Sequence, residues 1–86
     1  MNKETRDLAA IKADRVLDAK GLECPMPLLK AKKIIAALEK GQILEIIGTD
    51  EVSKVDLPGW CEHAGHIYLG ARDEAGHFRF YIKKGT

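Results

Sequence analysis

Gly21-Leu22-Glu23-Cys24-Pro25-Met26-Pro27-Leu28-Leu29-Lys30-Ala31-Lys32-Lys33-Ile34-Ile35-Ala36-Ala37-Leu38 is the stretch on which the fold turns. Apolar residues at Leu28, Ala31, Ile35 and Leu38, widened by Ile34, recur at the three-to-four spacing of one buried helix face. Lys30 and Lys33 fall off that face, and Gly41 supplies the stop. Ahead of the helix, Arg15-Val16-Leu17-Asp18-Ala19 has the composition of a short strand, and Gly21 then permits a backbone that other residues resist. Behind it, Ile43-Leu44-Glu45-Ile46-Ile47 is rich in β-branched residues and bounded by glycines, a second strand. A strand, a helix and a strand of these lengths fit a βαβ unit with two parallel strands.

The remaining chain adds a helix and a hairpin. Residues 50–56 read as a turn with helical character, and Pro58 at a first helical position opens a second helix over residues 58–64 that Gly65 ends. Ile67-Tyr68-Leu69-Gly70-Ala71 is a third strand. In Phe78-Arg79-Phe80-Tyr81-Ile82 the alternation puts Phe78, Phe80 and Ile82 on one face and Arg79, Tyr81 and Lys83 on the other. Asp73-Glu74-Ala75-Gly76 makes the hairpin turn between them. The order βαβαββ implies a two-layer α/β sandwich: a four-stranded mixed sheet, two helices on one face, and a partly wet opposite face carrying Tyr81 and Tyr68. Residues 1–14 are expected to be a flexible N-terminal extension and residues 15–86 the single domain.

The 86-residue composition bounds what this domain does. With 45% hydrophobic and 31% charged residues the chain reads as globular. Fourteen basic against thirteen acidic side chains leave +1, which argues against a dedicated duplex binder, and no aromatic stacking motif accompanies the lysines, so direct nucleic-acid binding is not expected. No apolar run approaches the ~20 residues of a membrane span, and the charged start Met1-Asn2-Lys3-Glu4-Thr5-Arg6-Asp7 does not read as a signal peptide; the expectation is a cytoplasmic monomer without membrane contact. In that compartment Cys24 and Cys61 are free thiols and not a structural bridge.

Cys24 is the residue whose setting asks for an explanation. It falls where a helix N-cap belongs, with Pro25 at the first helical position and Pro27 two further on, so a thiolate there would face the positive helix end. A helix terminus is worth ~0.3–1 kcal/mol at an exposed site, against about 1.4 kcal/mol per pKa unit, so the dipole lowers the thiol by less than about one from ~8.5. Lys20 or Lys30 would add to this if close, and Glu23 would oppose it. Two readings stand side by side: a functional thiol stiffened by prolines, or a small core residue. Met26 is expected to pack beneath the turn.

Three other features are weighed the same way. Cys61, beside Trp60, is either an auxiliary sulfur site or buried packing, and packing is the more usual role. Cys61, His63 and His66 offer donors within six positions, but the spacing matches no closed zinc pattern and Gly65 interrupts the helix, so neither metal nor other cofactor is assigned. Lys30, Lys32, Lys33 and Lys40 form a basic stripe, either a solvated helix face or a docking surface for an acidic partner.

Gly21-Leu22-Glu23-Cys24-Pro25-Met26-Pro27 opening a helix after a short strand resembles the Cys-Pro-x-Pro signature of the TusA/SirA-like sulfur-carrier family. The likeness extends through residues 41–49, Asp56-Leu57-Pro58-Gly59-Trp60-Cys61 and the terminal Tyr81-Ile82-Lys83-Lys84, covering roughly residues 15–84. The resemblance implies a sulfur carrier holding sulfane sulfur as a persulfide on Cys24; Pro25, Pro27 and Gly21 are read as its support, and Lys20, Lys30 and Lys33 as docking candidates on charge alone. It implies a cysteine desulfurase or rhodanese-type donor, a DsrE-type or other acceptor protein, and destinations such as tRNA thiolation, cofactor biosynthesis or sulfur oxidation. A moderately activated thiol suits this two-way exchange, because the same sulfur must attack one disulfide-like bond and leave from another. A regulatory interaction module and a Cys24–Cys61 redox switch are the competing readings.

Overall fold

A computed structural model describes residues 11–86, with elements β1 (Arg15–Ala19), α1 (Met26–Ala37), β2 (Ile43–Gly48), α2 (Ser53–Ala64), β3 (Ile67–Glu74) and β4 (His77–Lys83). β1 runs parallel to β2 with Arg15 opposite Leu44 and Ala19 opposite Gly48. β4 is antiparallel to β2, pairing Leu44 with Ile82 and Ile46 with Phe80, and β3 is antiparallel to β4. The sheet order is therefore β1-β2-β4-β3, a mixed four-stranded sheet. The βαβ unit and the alternation of the last strand are as the sequence implies.

The alternation decides where the core lies. Leu44, Ile46, Phe80 and Ile82, all fully buried, face the helices with Ala19, and are covered by Ala31, Ile35 and Leu38 of the first helix segment and Leu57 and Cys61 of α2. Each such Leu, Ile or Phe contributes about 1.5–3 kcal/mol by leaving water. Leu22, Leu28, Ile34 and Trp60 pack at the edge of this cluster. Tyr68 does too, so it belongs to the helix side and not to the open face where the sequence reading put it; the strand irregularity between Tyr68 and Gly70 changes the face on which its neighbours fall.

Several boundaries differ from expectation for identifiable reasons. α2 begins at Ser53, so Pro58 sits inside it and not at its first position. The missing Pro58 N–H removes one bond, while Ser53, Leu57 and Cys61 gain a continuous buried stripe. Lys54 also ties the early turn to β3, with its Nζ 3.3 Å from Asp73 and 4.1 Å from the Phe78 ring centroid. The hairpin turn is only Ala75 and Gly76, because Glu74 and His77 still pair. α1 stops before Gly41: Leu38 turns extended, and Lys84 Nζ accepts the role of cap by donating to the carbonyls of Leu38 (2.7 Å) and Ala36 (3.4 Å).

The open face is polar but not bare. Arg79 bonds Glu45 and, at 2.8 Å, Glu74; Glu74 also bonds Arg72 and lies 2.9 Å from His77 Nε2. Of these, Glu45, Arg72 and Arg79 act on Tyr81, which is only 3% exposed. Burial, and then Glu45, push the Tyr81 phenol upward despite the two arginines.

Both ends of the domain meet one turn. Asp14 N–H donates to Ile43 O and Asp14 Oδ2 accepts from Ile43 N–H, each at 2.8 Å. Gly41 N–H donates to Lys84 O and Lys84 N–H to Gln42 O, also at 2.8 Å. Of the expected 1–14 extension, residues 1–10 lie outside the described residues.

Candidate functional site

The turn carrying Cys24 is built from a short local bond and three longer ones. Met26 N–H donates to Glu23 O at 2.9 Å, closing a turn whose middle positions are Cys24 and Pro25; the Cys24–Pro25 peptide is cis, as in a type VI turn. The first α1 bond is Leu29 N–H to Pro25 O, 2.9 Å. Pro25 is thus the N-cap, and Cys24 lies one residue outside the position expected for it, since Pro25 has a non-helical ψ of 10°. Pro27 is buried beneath the first turn of the helix.

The longer bonds come from the loop after β2. Gly21, whose φ of 82° favours glycine, donates its N–H to Thr49 Oγ1 at 2.9 Å. Cys24 N–H donates to Asp50 Oδ2 at 3.0 Å, and Cys24 Sγ donates to Asp56 Oδ2 at 2.6 Å. Asp50 also accepts from Ser53, at its carbonyl from the N–H (3.2 Å) and at Oδ2 from Oγ (3.5 Å), so it meets the start of α2 while holding the Cys24 backbone. The parallel β1–β2 pairing makes this possible, because both strands end at the same edge of the sheet.

The electrostatics reverse the sequence expectation. The Cys24 thiol is pushed up, not down: the Asp56 hydrogen bond is the largest cause, then loss of solvent, then the charges of Asp56 and Asp50. A carboxylate in direct contact disfavours a second negative charge more than an adjacent helix end favours it. Lys20 does not oppose this; its Nζ lies 3.8 Å from Asp18. Cys24 is partly exposed and unbridged.

Lys30 and Lys33 line a groove of about 490 Å³ together with Met26, Leu29 and Lys32. Met26 (41% exposed) and Leu29 (47%) supply its apolar floor, so Met26 is on the surface and not packed under the turn; buried Pro27 takes that place. Val55 and Val52 are further exposed apolar side chains on and before α2.

Cys61 is elsewhere in chemical terms. It is 1% exposed in the core, and burial pushes its thiol up to about 11. His66 Nδ1 accepts the Gly85 N–H at 3.1 Å, and its ring lies 5.2 Å from that of Trp60; desolvation, then Lys84, lower its pKa. Cys61 is therefore taken up by the core and His66 by packing and by fastening the C-terminus, while His63 is exposed. Among the described residues no cluster of three or more His, Cys, Asp or Glu is arranged to hold a metal, and no helix is long and apolar enough to cross a membrane.

Asp50 and Asp56 are the site residues that sequence reasoning missed. They are distant in the chain, and nothing in their local pattern marks them; Asp56 stood in the motif segment without a role.

The family described as sulfurtransferase TusA matches residues 15–84. The chain is 49% identical over 75 residues to the putative sulfur carrier protein YrkI of Bacillus subtilis, covering 87% of this chain and 100% of that one. It is 48% identical over 75 residues to the putative sulfur carrier protein YrkF of the same organism, there covering only 40% of a longer chain. Sulfur carrier protein TusA of Allochromatium vinosum is 42% identical over 71 residues, 83% of this chain and 93% of that one. A crystal structure of a SirA-like protein from Desulfitobacterium hafniense superimposes with a TM-score of 0.74 at 27% identity, covering 84% and 99% of the two chains.

Proposed function

This chain belongs to the sulfurtransferase TusA family, and from that premise we propose that it is a sulfur carrier which holds sulfane sulfur as a persulfide on Cys24. The observation that carries the assignment to Cys24 is the contrast between two thiols: Cys24 is partly open on a turn pinned by four hydrogen bonds, whereas Cys61 is sealed in the core. The relatives named above as sulfur carriers support the role.

The exchange needs no cofactor. Cys24, as thiolate, attacks the outer sulfur of a donor cysteine persulfide. The Cys24 Sγ–S bond forms as the donor S–S bond breaks, the donor sulfur leaves with the electron pair, and the proton that Cys24 gave up ends on the donor thiol. Delivery repeats the same step with Cys24 as the leaving group. One sulfur–sulfur bond replaces another, so nothing is oxidised overall. A cysteine desulfurase or rhodanese-type protein fits as donor and a DsrE-type or other thiol protein as acceptor.

The groove beside the turn suits such partners. Met26 and Leu29 offer apolar contact and Lys30 and Lys33 positive charge next to Cys24, matching an acidic, partly apolar rim around a partner's cysteine. The test is peptide mass spectrometry after incubation with a cysteine desulfurase and cysteine, alkylating without reductant. One added sulfur on the Cys24 peptide, removed by reductant and absent in Cys24→Ser, is expected. No gain, while control thiols react, would leave an interaction module using the same groove.

A further inference from the structure

The sulfur atom that must become an anion to react is surrounded by acid. Asp56 Oδ2 lies 2.6 Å from Cys24 Sγ and Asp50 Oδ2 lies 3.0 Å from the Cys24 nitrogen. Neither carboxylate is free to swing away at no cost. Asp50 is bonded to Ser53 at the start of α2, and Asp56 belongs to the first turn of that helix, one residue before buried Leu57. No cation is bonded to either one among the described residues: Lys20 pairs with Asp18, Lys54 with Glu51 and Asp73, and Lys30, Lys32 and Lys33 line the groove on α1.

Two effects follow from charge alone. The bonded carboxylate keeps the thiol protonated, which is the direction of its shift. The pair also repels any anion that approaches Sγ, over distances shorter than the ~8 Å screening length of physiological salt. Small sulfur donors, polysulfide above all, are anions. A protein donor differs, since it brings side chains of its own, and a cationic one set beside its persulfide offsets the carboxylates as it docks.

We propose that Asp56, backed by Asp50, determines donor specificity: the two carboxylates close Cys24 to free anionic sulfur and leave it to protein-bound persulfides. The inference rests on the reading of Cys24 as the carrier. The chemical step is unchanged from that given above; the carboxylates act on which donor reaches it. Specificity of this kind comes from a repulsive element against the wrong partner as much as from attraction to the right one.

Iodoacetamide and iodoacetate alkylate a thiolate by the same displacement but differ in charge, so their rate ratio at Cys24 reads the local field and cancels the thiolate fraction. In Asp56→Asn, which keeps the volume and a hydrogen-bond acceptor, the iodoacetate-to-iodoacetamide ratio rises about tenfold. In Asp56→Glu it stays near the wild-type ratio, and in Asp50→Asn it rises by a smaller factor. The preference for desulfurase over polysulfide in loading Cys24 falls about tenfold in Asp56→Asn. Wild type alone gives an independent reading: added salt brings the two alkylation rates together. An unchanged ratio in Asp56→Asn, or no salt effect in wild type, overturns the specificity role while desulfurase loading of wild type still upholds the carrier. Failure of Cys24 to take sulfur from any donor overturns the carrier reading, and the specificity role with it.

Discussion

Replacing Cys61 by Ala should reverse its effect on stability as pH rises. Cys61 is 1% exposed, and burial lifts its thiol from the ordinary 9.0 to about 11. The pKa is raised in the folded state, so its stabilising contribution is complete below about pH 9 and is lost as pH climbs toward 11. In that window the unfolded chain has released a proton that the folded chain keeps, and stability falls with pH. The loss amounts to about 1.4 kcal/mol at pH 10 and about 2 kcal/mol at pH 10.5. Cys61→Ala removes the titration but also a buried atom the size of a methylene, costing roughly 1 kcal/mol. The variant should therefore be the less stable by roughly 1 kcal/mol at pH 7, level with wild type slightly below about pH 10, and the more stable by about 1 kcal/mol at pH 10.5. Urea unfolding followed by Trp60 fluorescence at fixed pH, in reductant, measures this directly. Cys24 and Tyr81 titrate in both chains and cancel in the difference, while Tyr68, raised by burial and then by the Cys61 charge, adds to the wild-type loss. A gap that stays constant from pH 7 to 10.5 would refute the reasoning, and rapid alkylation of Cys61 in the folded protein would return it to the list of sulfur sites.

Two further outcomes are expected. Gly65 ends α2 at φ 88°, where a side chain is disfavoured, and a Cβ there would lie 3.2 Å from Thr86 Cγ2; Gly65→Ala should cost about 1–2 kcal/mol in urea unfolding, and Gly65→Asn less. The double variant Lys30→Glu/Lys33→Glu should unfold within about 0.5 kcal/mol of wild type, yet accept sulfur from a protein donor several-fold more slowly at low salt, with the deficit closing as salt is raised, as stopped-flow loading would record.

What could be read from the chain was local and periodic. Leu28, Ala31, Ile35 and Leu38 announced their helix face because packing enforces a 3.6-residue period, and Phe78, Phe80 and Ile82 announced theirs because a pleated strand enforces a period of two. The start of α2 was hidden because Pro58 carries a strong local signal for a first turn, while the buried stripe Ser53–Leu57–Cys61 that overrides it depends on the sheet beneath. The burial of Tyr81 was equally invisible, since Arg72, Arg79 and Glu45 come to it from three strands. The chemistry of Cys24 was misjudged for the same reason. Its prolines and helix were visible at a glance, but the carboxylate that dominates its proton lies 32 positions away.

The turn at Gly41, Gln42 and Ile43 receives the chain from Asp14 on one side and releases it at Lys84 on the other. Cys24 follows the opposite end of β1, beyond Ala19 and its partner Gly48. The six residues of β2 separate these poles, which at ~3.3 Å per residue is about 17 Å. The chain thus enters at Asp14 and leaves at Lys84 through one pole, while the cysteine sits at the other. The domain is wired like a plug, with both leads at the back and the contact at the front.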